Sequence, residues 1–77
     1  MTRAEIYAAI DDELARARYQ FAEMHSCHEG YAIIREEVDE LWDEIKAHKG
    51  RRGTEKIRAE VLQVAAMAIR FIEDVCG

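Results

Sequence analysis

The chain has no proline and only four glycines, at positions 30, 50, 53 and 77. So few breakers leave long uninterrupted segments, which favours helices over a meander of short strands. Two cysteines, Cys27 and Cys76, are too few for a disulfide framework and read as free thiols in a reducing compartment. Long apolar runs are also missing. The longest, Val64-Ala65-Ala66-Met67-Ala68-Ile69, stops at Arg70 and is far too short to span a bilayer. The first twenty residues carry acids in place of an apolar signal core, so no secretory signal is expected, and a cytoplasmic setting follows by default. Basic charge is scarce as well: a net charge of −5 argues against stable nucleic-acid binding, which needs a basic face. An anionic substrate stays open, because a bound metal inverts the local field.

What is present is 77 residues that are 49% apolar. That is too hydrophobic for disorder and suits one small domain over residues 1–77. Thr2-Arg3-Ala4-Glu5 fits a capping box, with Met1 able to staple onto Ile6. Ile6, Ile10, Leu14, Ala17, Phe21 and Met24 then draw one stripe, predicting helix 1 over about residues 3–23. A second box, Ser26-Cys27-His28-Glu29, precedes Tyr31, Ile34, Val38, Leu41 and Ile45, predicting helix 2 over about 27–49. Lys46, His48 and Lys49 suit its C-terminal dipole, and Gly50 suits its stop. Thr54 is the expected N-cap of helix 3, over about 54–76. This helix has Ile57, Val61, Val64, Ala68, Phe71 and Val75 on one stripe, and Leu62, Ala65, Ala66, Ile69 and Ile72 on other faces. A helix apolar nearly all round must be buried on several sides. The expectation is therefore an all-α fold, three helices per chain, with the bundle completed by homo-oligomerisation as a homodimer or homotetramer.

Helix 2 concentrates six acids: Glu36, Glu37, Asp39, Glu40, Asp43 and Glu44. At about 100° per residue, Glu37, Glu40 and Glu44 share a flank beside the core stripe, while Asp39 and Asp43 point away. Carboxylates at a core border are costly unless something neutralises them. Glu60 falls inside the apolar stripe of helix 3, between Ile57 and Val61. If helices 2 and 3 pack antiparallel, Glu40 and Glu60 approach each other, as in helical bundles that hold metals in their cores. Spacing alone leaves two readings open, a metal site and a solvated acidic face.

Glu36-Glu37-x-x-Glu40, then residues 41–59, then Glu60-x-x-Gln63 resembles the EExxE…ExxD pattern of MazG-like all-α nucleoside triphosphate pyrophosphohydrolases. The resemblance covers about residues 28–75, including His28-Glu29-Gly30-Tyr31 and Ala65-Ala66-Met67-Ala68-Ile69-Arg70-Phe71, and is especially close to the short MazG-like proteins of phage genomes. It implies Mg²⁺-dependent hydrolysis, with Mn²⁺ as a substitute, of a (deoxy)nucleoside triphosphate to the monophosphate and pyrophosphate. By the same resemblance Glu37, Glu40 and Glu60 are metal ligands, with Gln63 at the fourth ligand position, and Glu36 and Glu37 are the catalytic carboxylates, Glu36 orienting or deprotonating the attacking water. Gln63 departs from the pattern, since the family usually has aspartate there. A glutamine carbonyl can ligate Mg²⁺ but brings no charge. That departure motivates the alternative of a weak or inactive MazG-like module that binds a nucleotide or a protein partner.

Among the other residues, Lys46, Arg52 and Lys56 belong to a basic group around the 2–3 loop. They read either as a solvated turn or as phosphate contacts. His25, Cys27 and His28 lack the paired spacing of structural zinc sites. Trp42 reads as core or interface packing.

Overall fold

The capping box at the N-terminus forms as the sequence requires. The Glu5 N–H donates to the Thr2 hydroxyl at 3.2 Å, and the Thr2 N–H donates to the Glu5 carboxylate at 2.8 Å. Two donors that a helix start would leave orphaned are thereby satisfied. The computed structural model describes residues 1–47 and 50–77, leaving aside the side chains of Arg51 and Arg52. In it, α1 spans Arg3–Gln20, α2 Cys27–Ala47 and α3 Arg51–Phe71, with a π-helical turn, Ile72–Cys76, continuing α3. No strand occurs among the described residues, and no helix is long and apolar enough to cross a membrane.

The helix ends differ from the expected ones for identifiable reasons. Helix 1 stops at Gln20 rather than near residue 23, because Phe21 turns extended (φ −126°, ψ 148°). Beyond it, tertiary partners take the backbone groups. The Ala22 carbonyl accepts from Arg70 Nη2 at 2.7 Å, and the Met24 N–H donates to the Asp74 carboxylate at 2.9 Å. Helix 3 begins at Arg51 rather than near Thr54. The turn before it rests on Gly50, whose φ of 82° falls where only glycine escapes a Cβ penalty. Thr54 donates its N–H and hydroxyl to the Gly50 carbonyl at 3.1 and 3.3 Å, so it sits a turn inside the helix. The second capping box is half formed. The Glu29 N–H donates to Ser26 Oγ at 3.0 Å, but the Glu29 carboxylate accepts from the His25 N–H, at 3.3 Å.

α3 packs against both α1 and α2. Ala17, Met24, Ala66 and Met67 are buried at the centre, and Leu14, Ile33, Ile34, Phe71 and Val75 pack around them. The α2–α3 pair is antiparallel across Gly50, with positions roughly equidistant from it face to face. Gly30 marks a close approach. A Cβ there would lie 2.7 Å from Phe71 Cε2 and 3.2 Å from Met24 Sδ, so only hydrogen fits. This contact sets the rotation of α2. Its inward residues are Gly30, Ile33, Ile34, Glu37, Leu41 and Glu44. Tyr31, Val38 and Ile45, expected inside, stay 61%, 41% and 42% exposed.

A charged latch closes the far end of the bundle. Arg18 donates to Asp74 at 2.9 Å and to Glu73 at 2.8 Å, and Asp74 also takes the Met24 N–H. The Asp74 side chain is 6% exposed. Its pKa is held below the usual carboxylate range, by Arg18 first and the Met24 N–H second. A depressed carboxyl contributes stability above its unfolded pKa of about 4 and loses it as pH falls through the folded value. Asp74→Asn is therefore expected to cost about 2 kcal/mol at pH 7, with the gap to wild type closing below about pH 4. Denaturant titrations at the two pH values measure this; equal stability at pH 7 would show that the latch contributes nothing.

Candidate metal centre

Glu37 and Glu40 stand one turn apart on α2, and Glu60 reaches them from α3. One carboxylate oxygen from each lies within 4.8 Å of the other two. Oxygens on opposite sides of a Mg²⁺ stand about 4.1 Å apart, and those around Ca²⁺ up to about 5 Å. The trio thus needs only small side-chain adjustments to share one divalent cation. It is the one group of this kind among the described residues, and His25, Cys27 and His28 form none. His25 lies 3.5 Å from Glu29, and both Cys27 and Cys76 are exposed free thiols.

Glu40 raises the pKa values of both Glu37 and Glu60, and the trio has little among the described residues to neutralise it. Glu37 Oε2 and Glu60 Oε2 are buried without a hydrogen-bond partner. Among the described residues no ion pair involves Glu37, Glu40 or Glu60. Burial pushes the Glu37 pKa up to about 7, helped by Glu40, Glu60 and Glu36. Glu60 is also raised, by burial first and then by Glu40, Glu44 and Glu13. Buried carboxylates that repel one another are the arrangement a hard cation relieves. Two other acids of α2 point away, as the helical geometry requires: Asp39 pairs with Arg35 at 3.4 Å and Asp43 with Lys46 at 3.6 Å.

A cleft of about 290 Å³ opens beside the trio. α2 contributes Ile33, Glu36, Glu37 and Glu40 to its wall, α3 contributes Met67 and Arg70, and the α1–α2 connection contributes Phe21 and Ala22. Glu36 is exposed on that wall. Gln63 is half-buried on α3, one turn after Glu60.

Lys46 and Lys56, two of the basic residues expected to meet phosphate, do not line this cleft. Lys46 is exposed at the end of α2, near Asp43 and 5.6 Å above the Trp42 ring. Lys56 is exposed on α3. The side chain of Arg52, with His48 and Lys49, lies outside the described residues. The residues that sequence reasoning missed come from elsewhere: Arg70 in the cleft, and Arg16 and Glu13 of α1. Arg16 binds Glu13 at 2.8 Å and also feels the charge of Glu37. Arg70 had a signal in the sequence, since it is the cation that ends the longest apolar run.

No family model, curated protein or solved structure matches the chain.

Proposed function

We propose that this chain is a divalent-cation-dependent nucleoside triphosphate pyrophosphohydrolase. The observation that carries the reading is the convergence of Glu37, Glu40 and Glu60 from two helices, with a buried unpartnered oxygen on Glu37 and on Glu60, beside a cleft that Glu37 and Glu40 line. The resemblance of Glu36-Glu37-x-x-Glu40…Glu60-x-x-Gln63 to the MazG-like pattern points the same way.

Glu37, Glu40 and Glu60 hold Mg²⁺ or Mn²⁺ in this reading. Bound there, the cation supplies charge neutralisation for the triphosphate and acidifies water. Glu36 orients the attacking water from the cleft wall and accepts its proton. The water oxygen forms a bond to the α-phosphorus, the α–β anhydride bond breaks, and pyrophosphate leaves with the electron pair. The exposed α2 residues Val38, Trp42 and Ile45, 41%, 56% and 42% accessible, are the surface on which a second copy completes the bundle.

A panel of nucleoside triphosphates assayed with Mg²⁺ and Mn²⁺ tests the reading. The expected result is cation-dependent release of monophosphate and pyrophosphate in equal amounts. Absence of release from every triphosphate would overturn it.

Gln63 favours a second reading, a helical module that binds a nucleotide or protein partner without turnover. The centre holds three carboxylates where the resembled pattern has an acid at all four ligand positions, which weakens its hold on a cation. Gln63→Asp is expected to tighten Mg²⁺ binding and raise turnover. Activity that appears only in Gln63→Asp supports the module; activity in the native chain ends it.

A further inference from the structure

Arg70 is the one buried charged residue among those described, 1% exposed on α3. Its guanidinium is poorly satisfied for so deep a position. Nη2 donates to the Ala22 carbonyl at 2.7 Å, Nη1 rests on the Met67 sulfur at 3.2 Å, and Nε has no partner. A thioether is a weak acceptor, and arginine cannot shed its proton to escape burial. Among the described residues no carboxylate forms an ion pair with it. A buried cation with an orphaned donor costs stability, and a ligand that brings an acceptor recovers it.

The cleft beside the glutamates offers a place for that acceptor. Arg70 lines the same cleft as Glu36, Glu37 and Glu40. Ten residues of α3 separate Glu60 from Arg70, about 15 Å along the axis. The arginine side chain reaches back toward Met67, as helical side chains do, which shortens the gap to the span of a nucleoside rather than of one phosphate. Between the two poles the walls are apolar: Phe21, Ile33 and Met67. Apolar walls suit a flat heterocycle and suit a phosphate badly.

We propose that the Arg70 end of the cleft is a nucleobase subsite that selects bases with an oxo group on the edge distal to the sugar. This rests on the hydrolase reading, which puts the phosphates at the glutamate end and so turns the distal base edge toward Arg70. Uracil, thymine, guanine and hypoxanthine present an oxygen acceptor on that edge. Cytosine and adenine present an amino group there, which would set donors against the guanidinium donors. A site built to hydrogen-bond one partner rejects the isostere that leaves its polar group unpaired.

Calorimetric titration with two matched pairs of monophosphates, uridine against cytidine and inosine against adenosine, tests this without any turnover. Wild-type protein is expected to bind each oxo member at least tenfold more tightly. Arg70→Lys, which retains charge but loses the planar fork, is expected to reduce that preference to less than threefold. Arg70→Met is expected to abolish it; circular dichroism establishes that this variant folds, and if it does not, the wild-type ratios and Arg70→Lys decide. Equal affinities within both pairs in wild type would overturn the subsite, as would a preference unchanged in Arg70→Lys. Failure of the hydrolase reading looks different: no triphosphate is cleaved, whatever the monophosphate preferences.

Discussion

Glu40→Gln is expected to lower cation-dependent pyrophosphate release by at least about a hundredfold while leaving the fold intact. Glu40 is exposed on α2, and its amide isostere fills the same space, so packing is not disturbed. What changes is the charge around the cation. The proposed centre would draw on three carboxylates, one from each of Glu37, Glu40 and Glu60, and Gln63 could add only a neutral amide. Losing one of three charges is a larger fraction than losing one of four. The magnitude follows from the several kcal/mol a metal supplies in stabilising developing charge. Two measurements separate cause from consequence: steady-state turnover with Mg²⁺, and the Mg²⁺-dependent rise in melting temperature. Both are expected to fall together. A variant that hydrolyses at the wild-type rate would remove Glu40 from the centre.

Glu37→Gln is expected to abolish turnover and yet to make the metal-free protein more stable. The Glu37 carboxyl is raised from 4.5 to about 7, chiefly by burial and then by the neighbouring glutamates. The sign of the effect follows from proton linkage. An unfolded chain ionises this carboxyl near its ordinary pKa, whereas the folded chain holds the proton to higher pH. Folding stability is therefore undiminished below about pH 4, declines as pH rises toward 7, and stays reduced above it. The full displacement corresponds to about 3 kcal/mol. Solvent screening of a half-buried group brings that to roughly 1–2 kcal/mol. Glutamine removes the penalty, so the variant is expected to exceed wild type by that amount at pH 8 and to match it at pH 4. Saturating Mg²⁺ reverses the order at pH 8, because a ligand stabilises only the protein that binds it. Melting curves at two pH values, with and without Mg²⁺, contain the whole test. A metal-free variant less stable than wild type at pH 8 would mean that Glu37 is held by a partner rather than strained by its neighbours.

The two effects share an origin. Packing Glu37 against α3 beside Glu60 raises its pKa, and in the proposed function the same packing would give the cluster its affinity for a cation. A centre assembled from solvated glutamates would be free of the strain and bind correspondingly less tightly.

Much of this arrangement was legible in the residues themselves. The absence of proline, the Thr2–Glu5 box and the Gly50 stop determine three helices, since each is a local matter of donors, caps and backbone freedom. The pairing of Glu37 and Glu40 with Glu60 also follows from the sequence. Two helices joined by a short turn must run antiparallel, and a repeat of three and four assigns residues to a common face.

The rotation of each helix about its axis was not legible. Periodicity says which residues share a face but not which face meets its neighbour most closely, and on α2 that was decided by Gly30 meeting Phe71. The contact turns Glu37 and Glu44 inward and leaves Val38 and Ile45 out, so carboxylates expected at the border of the core stand partly within it. The end of α1 was equally a tertiary decision. Arg70 and Asp74, about fifty residues away, claim the Ala22 carbonyl and the Met24 N–H, and the chain leaves the helix to reach them. The same bond from Ala22 helps hold the Arg70 guanidinium in the cleft. Local sequence determined where helices can form; long-range contacts determined which charges they bury.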